Sequence, residues 1–202
     1  MTQPPIPGTD GYGAEADRLA EQYESVDFAA LHGAVLPLLP APPARVCDIG
    51  AGTGRDAAAL ARLGHRVVAV EPTPELRAHG QRLHADAGIE WVDDSLPDLA
   101  RLQSRGDRFD LVMLVAVLMH LDDRERRSAV AAIAGLVAPG GLCVLTLRHG
   151  PVPPGRRMFD VPAAEVIGLG AGHGLVPAYE GRRGDMFGRA VHWSVLALRR
   201  PA

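Results

Sequence analysis

Residues 45–56 decide the fold of this chain and read RVCDIGAGTGRD. A short apolar run comes first, and Gly50, Gly52 and Gly54 follow it at alternate positions. Glycine permits positive φ angles and leaves no Cβ in the way of a ligand, while the start of a helix offers free N–H groups. The stretch therefore predicts a strand that turns tightly into a helix, with a ligand held against the backbone of the turn.

Outward from this turn, short apolar runs alternate with amphipathic stretches. Runs typical of strands lie at Arg45–Ile49, Arg66–Val70, Ile89–Val92, Phe109–Val115 and Leu142–Leu147. Stretches with helical periodicity lie at Asp56–Leu63, Pro74–Ala87, Leu96–Gln103 and Asp122–Val137. Apolar residues on consecutive positions fit strands that are covered on both faces, so the alternation predicts an α/β fold with a mainly parallel, doubly wound sheet.

The two ends of the chain depart from this alternation. Apolar positions in Ala14–Leu39 recur at helical spacing and predict two short helices that break near Val26–Asp27. Towards the other end, Gly174–Tyr179 and Ala190–Leu198 are predicted to be strands, with only the short connection Glu180–Gly188 between them. Consecutive strands with a short connection are expected to pair antiparallel.

The composition is typical of a single soluble domain, with 47% hydrophobic and 22% charged residues among 202. All 21 basic residues are arginine, and without lysine the chain can build neither a Schiff-base enzyme nor a Walker A loop. The net charge of −3 gives no field that favours nucleic acid. A small-molecule partner is therefore expected.

Apolar runs and cysteines indicate the environment in which the protein works. No run approaches the roughly 20 residues needed to span a bilayer, and Met1–Pro7 lack the order of a secretory signal. We therefore expect a cytoplasmic protein that has no membrane partner. Cys47 and Cys143 each lie inside an apolar run, so we interpret them as core residues and predict no disulfide and no metal site.

The second predicted strand ends at Glu71, whose two carboxylate oxygens can accept both hydroxyls of a ribose. This glutamate, the apolar first strand and the order Asp48-x-Gly50-x-Gly52-x-Gly54 together resemble the class I S-adenosylmethionine-dependent methyltransferases.

Three later segments add to the resemblance. Residues 91–97, WVDDSLP, are similar to the family's segment in which an acid accepts from the adenine amino group, and Asp94 matches that acid. A cap on the following helix is the alternative role for this residue. Residues 109–121 resemble the family's fourth motif. Residues 136–142 resemble its turn before the fifth strand, where Pro139-Gly140-Gly141 is expected to force a tight reversal.

The resemblance implies S-adenosyl-L-methionine as the cofactor and a seven-stranded sheet of order 3-2-1-4-5-7-6, with the last strand antiparallel and helices on both faces. Residues 1–10 are rich in Pro, Thr and Gln and are expected to be a flexible lead, and residues 11–202 are expected to form a single methyltransferase domain. The domain comprises an N-terminal helical lid (11–44) and a Rossmann-like core (45–202). The residues implied in cofactor binding are Tyr12, Asp48, Gly50, Ala51, Gly52, Gly54, Asp56, Glu71, Pro72, Asp94, Ser95, Leu96 and Val115.

Aromatic residues of the N-terminal helices are expected to cover the cofactor. Tyr12, Tyr23 and Phe28 are the candidates, with Tyr12 or Arg18 near the methionine carboxylate. The alternative for Tyr23 and Phe28 is that they fill a helix interface.

Two other functions stay open at this point. An NAD(P)-dependent oxidoreductase is disfavoured, because its G-x-G-x-x-G pattern would need glycine where this chain has Arg55, and because Asp48 would repel a pyrophosphate. A cofactor-binding module without catalysis is the second alternative, since a binding loop does not by itself prove chemistry.

The methyl acceptor is expected to be a small molecule that is methylated on oxygen, nitrogen or sulfur. Enzymes that methylate base amines or glutamine amides end their fourth strand with Asn/Asp-Pro-Pro-Tyr/Phe, whereas this chain has Leu114-Val115-Ala116-Val117. Little chain is available to cover the pocket, which fits a small acceptor or a pocket completed by a second subunit. A monomer or a homodimer is therefore expected.

His120 and His149 follow the fourth and fifth predicted strands and are candidate catalytic bases, because an imidazole titrates near neutrality. Tyr23, Arg148 and Arg157 are candidates for substrate binding. Arginines gather after the fifth strand and before the last one, and could bind a carboxylate or phosphate if the two loops meet. A solvated surface is the alternative for these arginines.

Overall fold

A computed structural model describes Ile6 and residues 8–202, and these residues form one sheet of seven strands. The strands are β1 (Arg45–Ile49), β2 (Arg66–Val70), β3 (Glu90–Val92), β4 (Phe109–Val115), β5 (Val137–His149), β6 (Val176–Gly184) and β7 (His192–Arg199). Their order in the sheet is β3-β2-β1-β4-β5-β7-β6. Strands β1 to β5 pair in parallel, whereas β7 pairs antiparallel with β5 and with β6. The predicted order and the antiparallel last strand are confirmed.

Seven α-helices connect or flank these strands in the described part of the chain. They are α1 (Ala16–Glu24), α2 (Phe28–His32), α3 (Arg55–Arg62), α4 (Pro74–Leu83), α5 (Ala100–Ser104), α6 (Asp123–Leu136) and α7 (Ala163–Ala171). The expected break between α1 and α2 is present. A new helix begins there because the Asp27 carboxylate accepts from the Ala30 N–H at 2.8 Å and caps α2. A capping box formed by Asp122 and Glu125 starts α6.

The sheet is covered on both faces, as the apolar runs predicted. Only the first residue of β1 and of β2 is exposed, and the other four are buried without alternation. One apolar cluster contains Leu114 of β4, Ile133 of α6 and Val166 of α7, and a second contains Met113 of β4 and Leu60 of α3. Both cysteines are buried in the first cluster, which fits their interpretation as core residues.

The helix α7 was absent from the sequence prediction. Its sequence, AAEVIGLGA, contains two glycines, which lower helix propensity. Tertiary packing explains the helix, because a Cβ on Gly170 would lie only 3.0 Å from Leu198 Cδ1 of β7. Glycine at this position therefore lets α7 approach the sheet closely.

Three predicted boundaries were wrong. The helix expected at Leu96–Gln103 is reduced to α5, because Pro97 lacks an N–H and Leu99 has a left-handed φ of 49°. Strand β5 begins at Val137 instead of Leu142, and the turn expected at Pro139-Gly140-Gly141 is a bulge inside it: Phe109 pairs with Val137 and Leu111 with Leu142, and Gly140 has a φ of 75°. The edge strand β6 extends to Gly184, because pairing with β7 continues through its polar residues.

The predicted flexible lead, residues 1–10, lies partly outside the described residues. In the described part, a Cβ on Gly8 would collide with the His120 side chain, and the Asp10 carbonyl accepts from Arg156 at 3.0 Å. Within the part of the chain that the structure covers, no helix has both the length and the apolar character that a membrane span requires.

Candidate functional site

A cavity of about 510 Å³ lies at the carboxyl ends of the central strands. Open parallel sheets bind ligands at this edge. The predicted cofactor residues that line it are Tyr12, Asp48, Gly50, Ala51, Gly52, Asp56, Glu71, Pro72, Asp94, Ser95, Leu96 and Val115. Gly54 is not among the lining residues. A Cβ at Gly54 would lie 2.7 Å from the Trp91 ring, so this glycine permits close packing at the start of α3.

The glycine turn is built by positive φ angles, which are 71° at Gly50 and 59° at Gly52. The N–H groups of Gly50 and Ala51 donate to the Val70 carbonyl at 2.8 and 3.0 Å, which fixes the turn against β2. A Cβ on Gly50 would lie 2.6 Å from Val117 Cγ2. Both the backbone conformation and the available space therefore require glycine at this position.

Glu71 connects the end of β2 to the glycine turn. Its Oε2 accepts from the Gly52 N–H at 2.7 Å, and its Oε1 accepts from the Thr73 N–H at 2.8 Å. Burial raises the pKa of this carboxyl above its usual range, against the opposing effect of these hydrogen bonds. Each carboxylate oxygen can accept more than one hydrogen bond, so Glu71 keeps capacity for a ligand in the cavity.

Asp48 and Asp56 line the same wall of the cavity, but their pKa values are shifted in opposite directions. Burial, and then the Asp56 charge, raises the pKa of Asp48 well above its usual value. Burial acts in the same direction on Asp56, but hydrogen bonds from His32 at 3.0 Å and Arg55 at 2.7 Å outweigh it and lower its pKa to about 2. The Asp56 charge is therefore already neutralised by protein groups, whereas burial disfavours the charged form of Asp48 at the cavity wall.

Asp94 lines the cavity and holds the loop that leads to α5. Its Oδ1 accepts from the Ser95 N–H at 2.9 Å, and its Oδ2 accepts from the Leu102 N–H at 2.8 Å. These contacts agree with the capping role left open by the sequence. They also fix the carboxylate at the rim of the cavity.

His120 is brought into the cavity wall by the turn after β4. In this turn Ala116 has a φ of 62°, and its N–H donates to Thr146 Oγ1 at 3.0 Å. The Nδ1 of His120 lies 2.9 Å from the Arg157 carbonyl, which can only accept, so Nδ1 carries the proton. The Nε2 then accepts from the Tyr12 hydroxyl at 3.1 Å. Burial, and then the charge of Arg156, lowers the pKa of His120.

His149 does not line the cavity, so its predicted place beside the substrate was wrong. Strand β5 continues through His149 instead of ending at Leu147, and side chains alternate between the two faces of a strand. Arg148 therefore lines the cavity, while His149 points away from it. There its Nδ1 contacts Asp160 at 2.6 Å and its Nε2 contacts Ser194 at 2.9 Å.

Arg157 also does not line the cavity. Its guanidinium pairs with Glu125 at 2.7 Å and with Asp122 at 3.1 Å, and it donates to the His120 carbonyl at 3.0 Å. It thus connects the start of α6 to the segment after β5. Its neighbour Arg156 lines the cavity instead, with its guanidinium carbon 4.2 Å from the Tyr12 ring centroid. The sequence showed the arginine pair but not which member faces inward.

The N-terminal helices contribute part of the cavity wall. Tyr12, Arg18 and Tyr23 line it, in agreement with their predicted position. Phe28 does not; it packs in the apolar cluster that includes Leu60, as the alternative of a helix interface anticipated. From the connection between β6 and β7, Met186 and Phe187 reach the cavity, although no periodic signal in the sequence marked them.

Comparison with known proteins agrees with this geometry. Residues 46–141 match the model of a family described as a methyltransferase domain. Relatives include the ubiquinone biosynthesis O-methyltransferases of Methylobacterium sp. (strain 4-46), 36% identical over 118 residues that cover 57% of this chain and 46% of the relative. The corresponding protein of Xanthomonas campestris pv. campestris (strain B100) is 36% identical over 115 residues, which cover 54% and 46%. The chain thus matches about half the length of these relatives.

Solved structures share the fold across nearly the whole chain. Magnesium protoporphyrin IX methyltransferase from Synechocystis PCC 6803, solved with bound S-adenosylmethionine, has a TM-score of 0.67 and 18% identity, and covers 94% of this chain and 84% of its own. The 1,6-didemethyltoxoflavin-N1-methyltransferase of Burkholderia thailandensis has a TM-score of 0.64 and 23% identity, and covers 94% and 88%. Residues 46–141 are therefore similar to a methyltransferase domain, and the chain has the fold of these solved methyltransferases.

Proposed function

We propose that the protein transfers a methyl group from S-adenosyl-L-methionine to an oxygen, nitrogen or sulfur atom of a small molecule. The observation that carries this proposal is the position of Glu71. Its buried carboxylate lies at the end of β2 and accepts from the Gly52 N–H of the glycine turn. The Glu71 carboxylate, which can accept from ribose hydroxyls, therefore lies directly beside the glycine turn, whose backbone a ligand can approach.

The residues of the cavity fit this cofactor better than they fit a dinucleotide. Asp48, Asp56 and Glu71 line the wall around the glycine turn, and a pyrophosphate there would face at least the charge of Glu71. Glu71 would hold the ribose, the turn at Gly50 and Gly52 would lie against the amino-acid part, and Asp94 would lie near the adenine. When bound, S-adenosyl-L-methionine would supply a methyl group bonded to a sulfonium sulfur, and the neutral thioether of S-adenosylhomocysteine would be the leaving group.

The protein's own contribution is mainly alignment. Holding an acceptor in line with a donor can supply on the order of 7–11 kcal/mol of the rate enhancement. Within the wall, we propose that His120 takes the proton of the acceptor at Nε2, because Nδ1 is already held by the Arg157 carbonyl. Tyr12, whose hydroxyl donates to Nε2 in this structure, would position the imidazole and yield this hydrogen bond to the acceptor when it binds.

The relatives support a small acceptor. The names of the similar proteins refer to O-methylation in ubiquinone biosynthesis and N-methylation of 1,6-didemethyltoxoflavin. These names refer to two different acceptor atoms, oxygen and nitrogen, on similar proteins. This agrees with the rule that the fold alone does not determine the substrate. A cytoplasmic location and a monomeric or homodimeric state stay predictions from the sequence.

Isothermal titration with S-adenosyl-L-methionine and with NAD separates the two cofactor hypotheses. We expect heat from the first and none from the second; the reverse result would replace the methyltransferase with an oxidoreductase. Incubation with methyl-labelled cofactor and a metabolite extract then tests catalysis. A labelled small-molecule product is expected, whereas cofactor binding with no labelled product would indicate the non-catalytic module.

A further inference from the structure

Three cavity residues form one row across neighbouring strands. Arg148 of β5 pairs with Trp193 of β7, and Trp193 pairs in turn with Arg183 of β6. Residues directly opposite each other in antiparallel strands point to the same face. All three line the cavity, and the guanidinium carbon of Arg183 lies 4.8 Å from the Trp193 ring centroid. We call these three residues the Arg148–Trp193–Arg183 row.

The row contains two buried donors that have no acceptor among the described residues. They are Nε of Arg183 and Nε1 of Trp193. A buried donor without a partner costs free energy, so such groups usually mark a site whose partner is a ligand or a water molecule. Two of them side by side favour a ligand with more than one acceptor atom.

The charges of the row are also uncompensated. Neither Arg148 nor Arg183 forms an ion pair with a carboxylate of the described chain; Arg148 donates to the carbonyls of Pro151 at 2.7 Å and Gly150 at 3.4 Å. Among the described residues, the guanidinium of Arg183 donates to the Gly184 carbonyl alone, at 3.3 Å. Backbone carbonyls carry no net charge, so both guanidinium charges stay available.

A carboxylate does lie nearby, but it is committed elsewhere. Asp185 accepts from the side chain of Arg189 at 2.7 and 3.0 Å, and from the N–H groups of Phe187 and Arg189 at 3.0 Å each. The Arg189 guanidinium thus contacts both oxygens of Asp185, and the two opposite charges neutralise each other. The surroundings of the Arg148–Trp193–Arg183 row are therefore positive, in contrast to the acidic wall near Glu71.

The acidic wall and the row lie at different ends of the cavity. In the sheet order, β2 and β7 are separated by β1, β4 and β5. With about 4.8 Å between neighbouring strands, the backbones of β2 and β7 are roughly 19 Å apart. A ligand held by Glu71 through its ribose therefore leaves the row free for a second molecule.

We propose that the Arg148–Trp193–Arg183 row binds an oxyanion of the methyl acceptor, a carboxylate or a phosphate. Its oxygens would accept from Arg183 Nε, from Trp193 Nε1 and from the guanidinium of Arg148. Planar guanidinium groups match both anions, and their hydrogen bonds to an anion are charge-assisted. This proposal rests on the proposed function and names the acceptor as an acid.

The test uses the full chain saturated with S-adenosylhomocysteine, and the same chain without it. Benzoate and phenyl phosphate represent the two anions, and benzamide is the uncharged match of benzoate. The readout is the indole N–H signal of tryptophan in ¹H–¹⁵N spectra. The chain has two tryptophans, so Trp91, which does not line the cavity, serves as an internal control.

We expect one of the two anions, or both, to shift the Trp193 indole signal while the Trp91 signal stays in place, and we expect benzamide to shift neither. Arg148→Gln and Arg183→Gln should each weaken anion binding by at least about tenfold, the loss typical of a charge-assisted hydrogen bond. Trp193→Phe removes the indole N–H and so identifies which of the two signals belongs to Trp193.

Arg182→Gln is the matched control, because Arg182 is exposed and adjacent to Arg183 but points to the other face of β6. The proposal is wrong if no anion shifts Trp193, if benzamide acts equally, or if Arg182→Gln matches Arg183→Gln. A tenfold loss of S-adenosylhomocysteine affinity in the Arg148 or Arg183 variant would assign the row to the cofactor instead. Failure of the cofactor to bind the parent protein would reject the proposed function separately.

Discussion

The Tyr12 hydroxyl lies 3.1 Å from Nε2 of His120, so the segment before α1 contacts the turn that follows β4. The opposite ring nitrogen of His120 is held by the Arg157 carbonyl. The imidazole is therefore fixed in one tautomer, with its accepting nitrogen directed to a residue of the N-terminal segment.

This arrangement predicts how activity depends on pH. Because burial lowers the pKa of His120, the neutral imidazole persists below the usual pKa of about 6.5. Activity should fall only when the pH drops through that lowered value, since protonation removes the accepting lone pair. His120→Gln should reduce the rate by about a hundredfold and abolish this acidic limb.

His149→Gln is the control for the pH experiment, because His149 points away from the cavity. Its pH–rate profile should equal that of the parent protein. If the His120 variant also keeps the parent profile, His120 has no part in proton transfer.

Glu71→Gln should weaken S-adenosyl-L-methionine binding by roughly 10- to 150-fold, because it removes a charged acceptor worth about 1.5–3 kcal/mol. Isothermal titration measures the change, and circular dichroism verifies that the variant is folded. Glu90→Gln, at the exposed start of β3, is the control and should bind normally. Unchanged affinity in the Glu71 variant would mean that the cofactor lies elsewhere.

Asp94→Ala distinguishes the two roles of that carboxylate. If it contacts the cofactor, affinity should fall on the order of tenfold. If it only holds the Ser95 and Leu102 N–H groups, the variant should lose about 1–2 kcal/mol of unfolding free energy and bind the cofactor normally. We expect both changes, measured by titration and by urea unfolding.

Gly50→Ala should destabilise the protein more than Gly106→Ala does. The two glycines have nearly the same φ, 71° and 68°, so both variants carry the cost of about 1–2 kcal/mol for a left-handed residue. Only at Gly50 would the new Cβ also meet Val117 Cγ2, at 2.6 Å; nothing lies within 4 Å at Gly106.

Urea unfolding of both variants measures this difference. Adding Val117→Ala to the Gly50 variant should remove the steric part and leave the conformational part. Equal unfolding free energies of the two single variants would show that the Val117 side chain can move aside without loss of stability.

Asp56 should make stability fall in acid. Its pKa is lowered to about 2 in the folded protein, against about 3.9 in an unfolded chain. The stabilisation is complete above the unfolded value and is lost as the pH falls from about 4 to about 2, an effect on the order of 2 kcal/mol. Urea unfolding between pH 5 and pH 2 measures it.

Asp56→Asn should flatten this pH dependence, whereas Asp86→Asn, at an exposed position, should not. The Asp56 variant should also be less stable at neutral pH, because Arg55 loses its buried partner. A pH dependence equal to that of the parent would show that other carboxylates cause the acid effect.

The parts of the fold that were predictable are those in which local pattern and burial agree. The strands β1, β2 and β4 are buried on both faces, so their consecutive apolar residues identified them at the observed boundaries. Strand β6 was predicted too short, since it lies at the edge of the sheet and its residues Glu180–Gly184 are polar. Pairing with β7, and not side-chain pattern, defines its end.

The same distinction applies to the candidate site. Glu71 and the glycine turn could be placed from the sequence, because both follow directly from the end of a buried strand. The sequence could not show which of Arg148 and His149 faces the cavity. Neighbouring side chains of a strand point to opposite faces, so a shift of one residue in the strand exchanges their positions. Arg156 and Arg157 presented the same problem in a loop.

By itself, the sequence determined the alternation of strands and helices, the glycine turn at Gly50 and the acid that ends β2, since each depends on residues adjacent in the chain. Tertiary structure alone decided which arginines and histidines face the cavity, and it placed Arg148, Trp193 and Arg183 in one row. The physical reason is that this row depends on the register of three strands, and register is set by backbone pairing between segments far apart in the chain.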